Sequence, residues 1–392
     1  MAREFKQIDL FAGAGGMSEG FEQAGFTALS ANDFDSHSAA TYRLNNPDVN
    51  FIDGAIQDIT IDQLMGAAGI ESGELDVLIG GPPCQAFSVY NHQRGMHDER
   101  SGLFREYLRI VKGLMPKFVV MENVTGITSV ANGTAVKEIY HSLGNLGYHV
   151  EHRILKAEEF GVPQERRRIF FIGALNQKKI VWPEPICQQA ATTPELWGEK
   201  LPPFANVWDA IGDLPELSIM QGEEVSEYTG MPTGKFQKQM RKGTSKLYNH
   251  VAPYLAPINL ERLKYIPKGG SWRDIPTFLL PAGMKLAKRS DHTKRYGRLH
   301  PDGLASTILT KCDIHWGAFI HPKQERGLTV REAARLQSFP DKVRFTGPRS
   351  EQFRQVGNAV PPLLAKAVAI AIGKMLSSKD RTRTVRTLCA TV

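Results

Sequence analysis

"QIDLFAGAGGMSEGFEQAGFTALSAND", the stretch from Gln7 to Asp33, decides the fold. QIDLFAG predicts a strand, Met17 to Ala24 has a short helical pattern, and FTALSAND predicts a second strand. A strand, a helix and a strand in this order predict two parallel strands with a covering helix. The same pattern continues through LDVLIGG, KFVVMENV, HVEHRILKA and RRIFFIGAL to about Leu175. We therefore expect an α/β, Rossmann-like fold with a mostly parallel sheet.

The turn after the first strand carries four closely spaced glycines, Gly13, Gly15, Gly16 and Gly20. A glycine-rich turn between a strand and a helix lets the backbone approach a nucleotide-like ligand. The spacing departs from the dinucleotide fingerprint GxGxxG, because Ser18 stands where the third glycine is required. A dinucleotide pyrophosphate is therefore disfavoured.

Three side chains near this turn have the chemistry to hold an adenosine. Asp33 ends the second strand, 20 residues after Gly13, where an acidic side chain accepts hydrogen bonds from ribose hydroxyls. Phe11 could stack on an adenine, and Asp58 could accept a hydrogen bond from its exocyclic amine. An adenosine ligand without phosphates, such as S-adenosylmethionine, fits better than NAD. The alternative is a tight strand-to-helix turn with no ligand.

Cys84 follows a buried strand and two prolines in DVLIGGPPC. In a parallel sheet, ligands bind beyond the carboxyl ends of the strands, and Cys84 lies at such an end. Pro82 and Pro83 stiffen the loop and fix the direction of the sulfur. A reactive thiol is therefore one interpretation of Cys84, and a small buried side chain is the other.

Charged side chains lie at the ends of two further predicted strands. Glu122 follows apolar residues in FVVMENV, so burial should raise the pKa of its carboxyl group, although it could instead cap the following turn. QERRRIF supplies Arg166, Arg167 and Arg168, and strand alternation places Arg166 and Arg168 on one face. A guanidinium pair near a pocket would hold a substrate carbonyl or phosphate; a solvated strand end is the alternative.

Composition restricts the class of protein. A chain of 392 residues is long enough for about two domains. No apolar run approaches the roughly 20 residues that a membrane span requires, and the start of the chain runs straight into a strand rather than a signal peptide. Four widely separated cysteines fit neither a disulfide framework nor a zinc motif. We therefore expect a cytoplasmic protein with no metal site and no membrane contact.

The charge is unevenly distributed along the chain. From Thr229 to His300, 15 Lys and Arg stand against three acidic residues, so the rest of the chain is net negative. This asymmetry is typical of a protein that binds a polyanion, although a solvated basic face is the alternative. The apolar face of PPLLAKAVAIAIGKML predicts a C-terminal helix that packs on the sheet. We expect a catalytic and cofactor-binding domain at 1–180, a smaller loop-rich domain at 181–325, and a segment at 326–392 that returns to the first domain.

Seven segments stand in the order, and close to the spacings, of a known family: DLFAGAGG, GGPPCQAFS, ENV, QERRR, RLHPDGLASTILT, LTVREAARLQSFPD and QVGNAVPP. With them the chain resembles the bacterial DNA (cytosine-5)-methyltransferases, over nearly its whole length except roughly residues 184–265. The resemblance implies an S-adenosylmethionine-dependent methyltransferase fold whose loop-rich domain recognises a specific double-stranded DNA site. It also implies a restriction-modification context and, through DNA, association with the nucleoid.

The resemblance implies a role for each catalytic candidate. Cys84 would be the nucleophile that adds to carbon 6 of a flipped-out cytosine, and Glu122 would bond to and protonate ring nitrogen 3. Arg168, supported by Arg166, would contact the flipped base or hold the nucleophile loop. The thiolate suits this chemistry because it is both a good nucleophile and a good leaving group.

The resemblance also implies contacts to cofactor and DNA. Thr307, followed by Ile308, matches a threonine that the family places against the DNA backbone, and Ser88 is a further candidate for DNA contact. Asp33 departs from the glutamate of many members and places a shorter carboxylate at the ribose position. The residues expected to bind S-adenosylmethionine are Phe11, Gly13, Gly15, Gly16, Asp33, Asp58, Pro83, Leu103 and Asn358.

Two other functions stay open at this point. A tRNA cytosine-5 methyltransferase of the same fold would share the nucleophile loop, and a catalytically silent DNA-binding regulator would keep the fold. The large basic region favours duplex DNA over tRNA. We expect a monomer, with a cognate restriction endonuclease encoded nearby and no direct contact between the two proteins.

Overall fold

The computed structural model describes residues 4–83, 102–177, 179–189 and 201–389, and the chain divides into two compact units. Unit 1 consists of Met1–Lys156, Arg167–Pro185 and Pro362–Val392, and unit 2 of Ala157–Arg166 and Ile186–Pro361. The basic segment 229–300 lies within unit 2.

A mixed sheet forms the centre of unit 1, with seven strands among the described residues. In spatial order the strands are β3 (Asn50–Asp53), β2 (Phe26–Asp33), β1 (Phe5–Leu10), β4 (Val77–Gly80), β5 (Phe118–Asn123), β7 (Arg167–Leu175) and β6 (Tyr148–Lys156). Neighbouring strands from β3 to β5 are parallel, whereas β7 is antiparallel to both β5 and β6. The predicted α/β, Rossmann-like, mostly parallel fold is confirmed.

Six helices in the described part of unit 1 pack on this sheet. They are α1 (Gly16–Glu22), α2 (Ser36–Asn45), α3 (Ile61–Ala68), α4 (Leu103–Leu114), α5 (Thr134–Asn145) and α12 (Pro362–Cys389). Ile8 and Leu10 of β1 share a buried apolar cluster with α3, α4 and α5. The intervening Asp9 bonds to Ser18 of α1, so α1 lies on the opposite face of the sheet.

Helix α12 packs against α1, as the apolar C-terminal pattern predicts for a helix that returns to the first third of the chain. A Cβ atom added to Gly20 of α1 would lie 2.4 Å from the carbonyl oxygen of Pro362 and 2.5 Å from the Cβ of Ala365. Only glycine allows the two helices to approach this closely.

Unit 2 has little sheet and several short helices. Its antiparallel hairpin joins β8 (Gly222–Glu227) to β9 (Lys246–Val251). Its described helices are α6 (Val207–Ile211), α7 (Lys235–Met240), α8 (Pro257–Leu263), α9 (Ala282–Lys285), α10 (Val330–Leu336) and α11 (Arg349–Asn358). Thr329 and Glu332 form a capping box at the start of α10.

The boundaries of the two units differ from those expected at 180 and 325. The chain returns to unit 1 at Pro362 rather than at residue 326, and Ala157–Arg166 belongs to unit 2. The physical reason is that α10 packs against α6, α11 and β9, all of unit 2. The functional assignment of the two units stays a prediction.

The helical stretch Arg349–Ser378 is long and apolar enough to cross a membrane by length and composition alone. This is weak evidence for a membrane span, because 61% of its most apolar window is buried inside the protein. A core helix of a soluble protein passes the same test.

Candidate active site

The glycine-rich turn after β1 has the left-handed backbone that glycine favours. The φ angle is 56° at Gly13 and 83° at Gly15, and Phe11 adopts φ 56° although it is not a glycine. The Gly13 N–H donates to Oδ2 of Asp33 at 2.8 Å. The turn is thereby tied to the end of β2, which brings two predicted cofactor-binding residues into contact.

The Asp33 carboxylate has free capacity for a ligand. One oxygen accepts the N–H of Gly13 and the other accepts the N–H of Asp35 at 2.9 Å, and the N–H of Phe34 adds a third backbone donor. A carboxylate has about four lone-pair sites, so it can still accept a hydrogen bond from a ligand. Burial raises the pKa of Asp33 above its ordinary value. Among the described residues, no atom lies within 4 Å of a Cβ built on Gly13. The open space at Gly13 and the carboxylate oxygens of Asp33 beside it fit the adenosine of S-adenosylmethionine.

Other cofactor candidates differ in exposure. Asp58 is exposed, whereas Phe11 and Leu103 are partly buried against the core cluster, and Pro83 is half-buried. The sequence reasoning missed Phe34, an aromatic side chain that is 70% exposed directly after Asp33. The position of an aromatic residue directly after the acidic end of β2 could have predicted this candidate, since such a ring can stack on an adenine base.

The structure brings Glu122 and Arg168 together within unit 1. Nε of Arg168 lies 2.9 Å from Oε1 of Glu122, and the two side chains are only 15% and 12% exposed. Antiparallel pairing of β5 with β7 places Glu122 opposite Phe170, which brings Arg168 within reach. Burial lowers the pKa of Arg168. Desolvation and the guanidinium act on Glu122 in opposite directions, so the expected rise in the pKa of Glu122 stays a prediction.

The first residues of the loop after β4 lie against Glu122. A Cβ added to Gly81 would lie 3.2 Å from Oε2 of Glu122. Nδ2 of Asn123 donates to the carbonyl oxygen of Pro82 at 2.9 Å, and this bond is buried. Asn123, which the sequence reasoning missed despite its place in ENV, therefore fixes the loop that leads to Cys84. Cys84 itself, like Ser88, lies outside the described residues.

The three arginines of QERRR have different environments. Arg167 is exposed, while Arg166 and Arg168 are largely buried. Arg166 belongs to unit 2, where its guanidinium donates to carbonyl oxygens within that unit rather than presenting itself as a free pair with Arg168. These bonds favour a positioning role for Arg166 over direct contact with a substrate.

Two further predicted contact residues lie in unit 2. Oγ1 of Thr307 donates to the carbonyl oxygen of Glu165 at 2.6 Å, so the hydroxyl oxygen keeps its acceptor capacity. Asn358 ends α11 and is exposed. Their predicted contacts to DNA and to cofactor stay predictions.

The chain is similar to known proteins over almost its whole length. A family model for C-5 cytosine-specific DNA methylase matches residues 5–374. The chain belongs to the C-5 cytosine-specific DNA methylase family. It is 34% identical over 429 residues to Type II methyltransferase M.AgeI of Thalassovita gelatinovora, covering 95% of this chain and 100% of the relative. It is 38% identical over 382 residues to Type II methyltransferase M.DdeI of Desulfomicrobium norvegicum, covering 92% and 87%.

A solved structure supports the same membership of the methylase family. The crystal structure of an E. coli protein described as a DNA modification methyltransferase encoded within a prophage superimposes with a TM-score of 0.74. The two chains are 25% identical, and the match covers 95% of this chain and 100% of that one. The predicted class, a DNA (cytosine-5)-methyltransferase with Type II methyltransferases among its relatives, is confirmed. DNA as substrate and S-adenosylmethionine as methyl donor follow in general from that class.

A buried polar network lies under the glycine-rich turn of this methylase. Oγ of Ser18 donates to Oδ2 of Asp9 at 2.6 Å and lies 2.9 Å from the Tyr42 hydroxyl. Burial, together with the charges of Asp33 and Glu22, raises the pKa of Asp9 to about 7, against the opposing bond from Ser18. The Asp9 carboxyl is therefore largely protonated in the folded protein at mildly acidic pH.

Replacing Asp9 with asparagine should change how stability depends on pH. In the unfolded chain Asp9 ionises near its ordinary pKa of 3.8, so between about pH 4 and 7 unfolding releases its proton and stability falls as pH rises. Asp9→Asn removes this loss, which is on the order of 1–4 kcal/mol at pH 7. Urea titrations from pH 5 to 8 should show the stability of Asp9→Asn relative to wild type increasing up to about pH 7. A difference independent of pH would contradict the protonated state.

Proposed function

We propose that this protein transfers a methyl group from S-adenosylmethionine to carbon 5 of a flipped-out cytosine in a specific double-stranded DNA site, through a covalent Cys84 adduct and in a restriction-modification context. The observation that carries the proposal is the buried Glu122–Arg168 pair beside the start of the Cys84 loop. An acid, a guanidinium and a loop fixed by Asn123 lie at the carboxyl ends of two neighbouring parallel strands. That edge is where α/β sheets bind their ligands.

In the first step, the Cys84 thiolate adds to carbon 6 of cytosine and forms a C–S bond. The displaced electron pair moves into the ring while Glu122 donates a proton to nitrogen 3, so carbon 5 becomes nucleophilic. Arg168 holds the Glu122 carboxyl in place through their 2.9 Å contact. S-adenosylmethionine, when bound, would supply the electrophilic methyl group that carbon 5 takes up, with S-adenosylhomocysteine as the leaving group. Loss of the carbon 5 proton to a base then expels the Cys84 thiolate, and nitrogen 3 returns its proton.

Target recognition is assigned to unit 2 in this proposal. It contains the basic segment 229–300, and counterion release makes binding through such a segment dependent on salt. Within the segment, Leu286 and Phe278 are 92% and 75% exposed, which offers apolar contacts beside the charges. A flipped base costs a few kcal/mol of unstacking, and contacts of this kind offset that cost. Contacts of Ser88 and Thr307 with DNA, the monomeric state, the cognate endonuclease and the cytoplasmic location stay predictions.

Asp33→Asn should weaken cofactor binding. The substitution keeps the shape of the side chain but removes the charge and one acceptor, and a hydrogen bond to a charged group contributes about 1.5–3 kcal/mol. We expect the Kd for S-adenosylhomocysteine, measured by calorimetry, to rise by about 10- to 100-fold. Asp53→Asn is the matched control, because Asp53 lies opposite Asp33 on β3 and pairs with exposed Arg43. Equal affinity in the Asp33 variant and wild type would remove Asp33 from the cofactor site.

Expression in a host without DNA methylation tests the proposed function. Sequencing for 5-methylcytosine should reveal one short DNA motif methylated at one position, and only in cells that express the protein. Methylated cytosine in tRNA but not in DNA would instead support the tRNA enzyme. Absence of 5-methylcytosine from both, with DNA binding retained, would support the silent regulator.

A further inference from the structure

A single buried guanidinium joins two segments of unit 2: residues 305–310, the Thr307 loop, and residues 357–361 where α11 ends, the Asn358 loop. Arg166 is 1% exposed, and its Nη1 donates to the carbonyl oxygen of Ile308 at 3.2 Å. Its Nη2 donates to the carbonyl oxygens of Gly357 and Ala359, each at 3.0 Å. Ile308 directly follows Thr307, while Gly357 and Ala359 flank Asn358. The Arg166 side chain therefore fixes the backbone position on both sides of Asn358 and directly after Thr307.

Gln164 forms a second, fully buried link between the same loops. Its Oε1 accepts the N–H of Ile308 at 3.0 Å, and its Nε2 lies 3.1 Å from Oε1 of Gln337. Gln337 in turn donates to the carbonyl oxygen of Val356 at 2.9 Å. The QERRR segment thus reaches both loops twice, directly through Arg166 and, through Gln164 and Gln337, by a chain of two side chains.

The two loops also touch each other directly. A Cβ added to Gly357 would lie 2.4 Å from the carbonyl carbon and oxygen of Leu309 and 2.6 Å from the amide nitrogen of Thr310. Interiors packed this closely transmit small displacements instead of absorbing them. A shift of the Asn358 loop therefore moves the backbone that follows Thr307.

Because Arg166 is buried, losing its hydrogen bonds to the two loops would cost much free energy. A buried guanidinium is costly unless its donors are satisfied, and leaving a buried charge without its partners costs more than a lost neutral bond. Either loop can rearrange only by giving up bonds to Arg166. If a ligand orders the Asn358 loop, one backbone conformation of the Thr307 loop is therefore favoured. By thermodynamic reciprocity, a ligand that orders the Thr307 loop favours one conformation of the Asn358 loop to the same extent.

We propose that Arg166 is a positioning residue that couples the Thr307 loop to the Asn358 loop, so that cofactor binding and DNA binding strengthen each other. The proposal rests on the proposed function and on two predicted contacts, that of Asn358 with S-adenosylmethionine and that of Thr307 with the DNA backbone. It gives Arg166 no contact with the reacting base.

The test compares DNA affinity with and without cofactor. The probe is a duplex containing the methylated motif, and the cofactor stand-in is S-adenosylhomocysteine. The ratio of the two Kd values in wild type should be about 5- to 150-fold, the usual range of coupling between two sites. Arg166→Lys keeps the charge but loses the planar fork that reaches several carbonyls, so its ratio should fall toward 1.

Arg298→Lys is the matched control. Arg298 is also buried in unit 2 and also bonds to several carbonyl oxygens, including those of Leu263, Ile266 and His321. Its described bonds reach neither the Thr307 loop nor the Asn358 loop, so its ratio should stay at the wild-type value. A wild-type ratio near 1, or the same ratio in wild type and Arg166→Lys, would overturn the coupling.

Hydrogen exchange on the wild-type protein tests the same coupling without a variant. S-adenosylhomocysteine alone should slow amide exchange in residues 305–310, where the Ile308 N–H is bonded to Gln164. Unchanged exchange there, with the cofactor shown to be bound, would overturn the proposal. Failure of the wild type to bind either cofactor or DNA would instead contradict the proposed function itself.

Discussion

Replacing Cys84 with serine should lower the rate of DNA methylation by at least about 10³-fold, because loss of the nucleophile removes the covalent step. A serine hydroxyl is a weaker nucleophile than a thiolate, and an alkoxide is a poorer leaving group when the ring is restored. The measurement is a single-turnover assay with labelled S-adenosylmethionine and saturating DNA. Binding of DNA and cofactor should stay close to wild type, since neither depends on the sulfur.

Cys312→Ser is the control for this loss. Cys312 is a free, partly buried cysteine of unit 2, and burial raises the pKa of its thiol well above the ordinary value, so it is not a thiolate at neutral pH. Its serine variant should keep nearly full activity. Near-normal turnover of Cys84→Ser would rule out Cys84 as the nucleophile.

Glu122→Gln should have the second-largest effect, a fall of about 10²- to 10⁴-fold in the rate of the chemical step. Glutamine has almost the same shape and its oxygen can still accept a bond from Arg168, but it cannot give a proton to nitrogen 3. The loss should therefore appear in the single-turnover rate and not in the Kd for cofactor. A fall of less than about 10-fold would mean that Glu122 does not protonate the base.

Glu138→Gln is the matched control for Glu122. Glu138 of α5 also pairs with an arginine of unit 1, but this pair is more exposed to solvent than the Glu122–Arg168 pair. Its Oε1 lies 2.6 Å from Nε of Arg105. An exposed pair of this kind contributes little to stability, so its loss should leave methylation unchanged.

The sequence predicted the sheet well because its signals are local. FTALSAND and RRIFFIGAL coincide with β2 and β7, and the acidic residue at the end of β2 does contact the glycine-rich turn. These features depend on alternation and on glycine at positive φ, which a short window of sequence contains.

The contacts between distant segments were harder to predict. The Glu122–Arg168 pair depends on the antiparallel direction of β7 in a sheet that the sequence predicted only as mostly parallel. Alternation separated Arg166 and Arg168 from Arg167, yet nothing local shows that the Arg166 guanidinium bonds to residues nearly 200 positions further along the chain. The late return of the chain to unit 1 at Pro362 likewise follows from the packing of α10 against distant segments of unit 2.

The central claim, a covalent bond from Cys84 to cytosine, is tested most directly with DNA that carries 5-fluorocytosine at the methylated position. Fluorine cannot leave carbon 5 as a proton does, so the adduct should be trapped once the methyl group has been transferred. Incubation with S-adenosylmethionine should give a denaturation-resistant complex whose peptide mass places one methylated 5-fluorodeoxycytidine on Cys84. No stable complex, or a complex attached to another residue, would contradict the account.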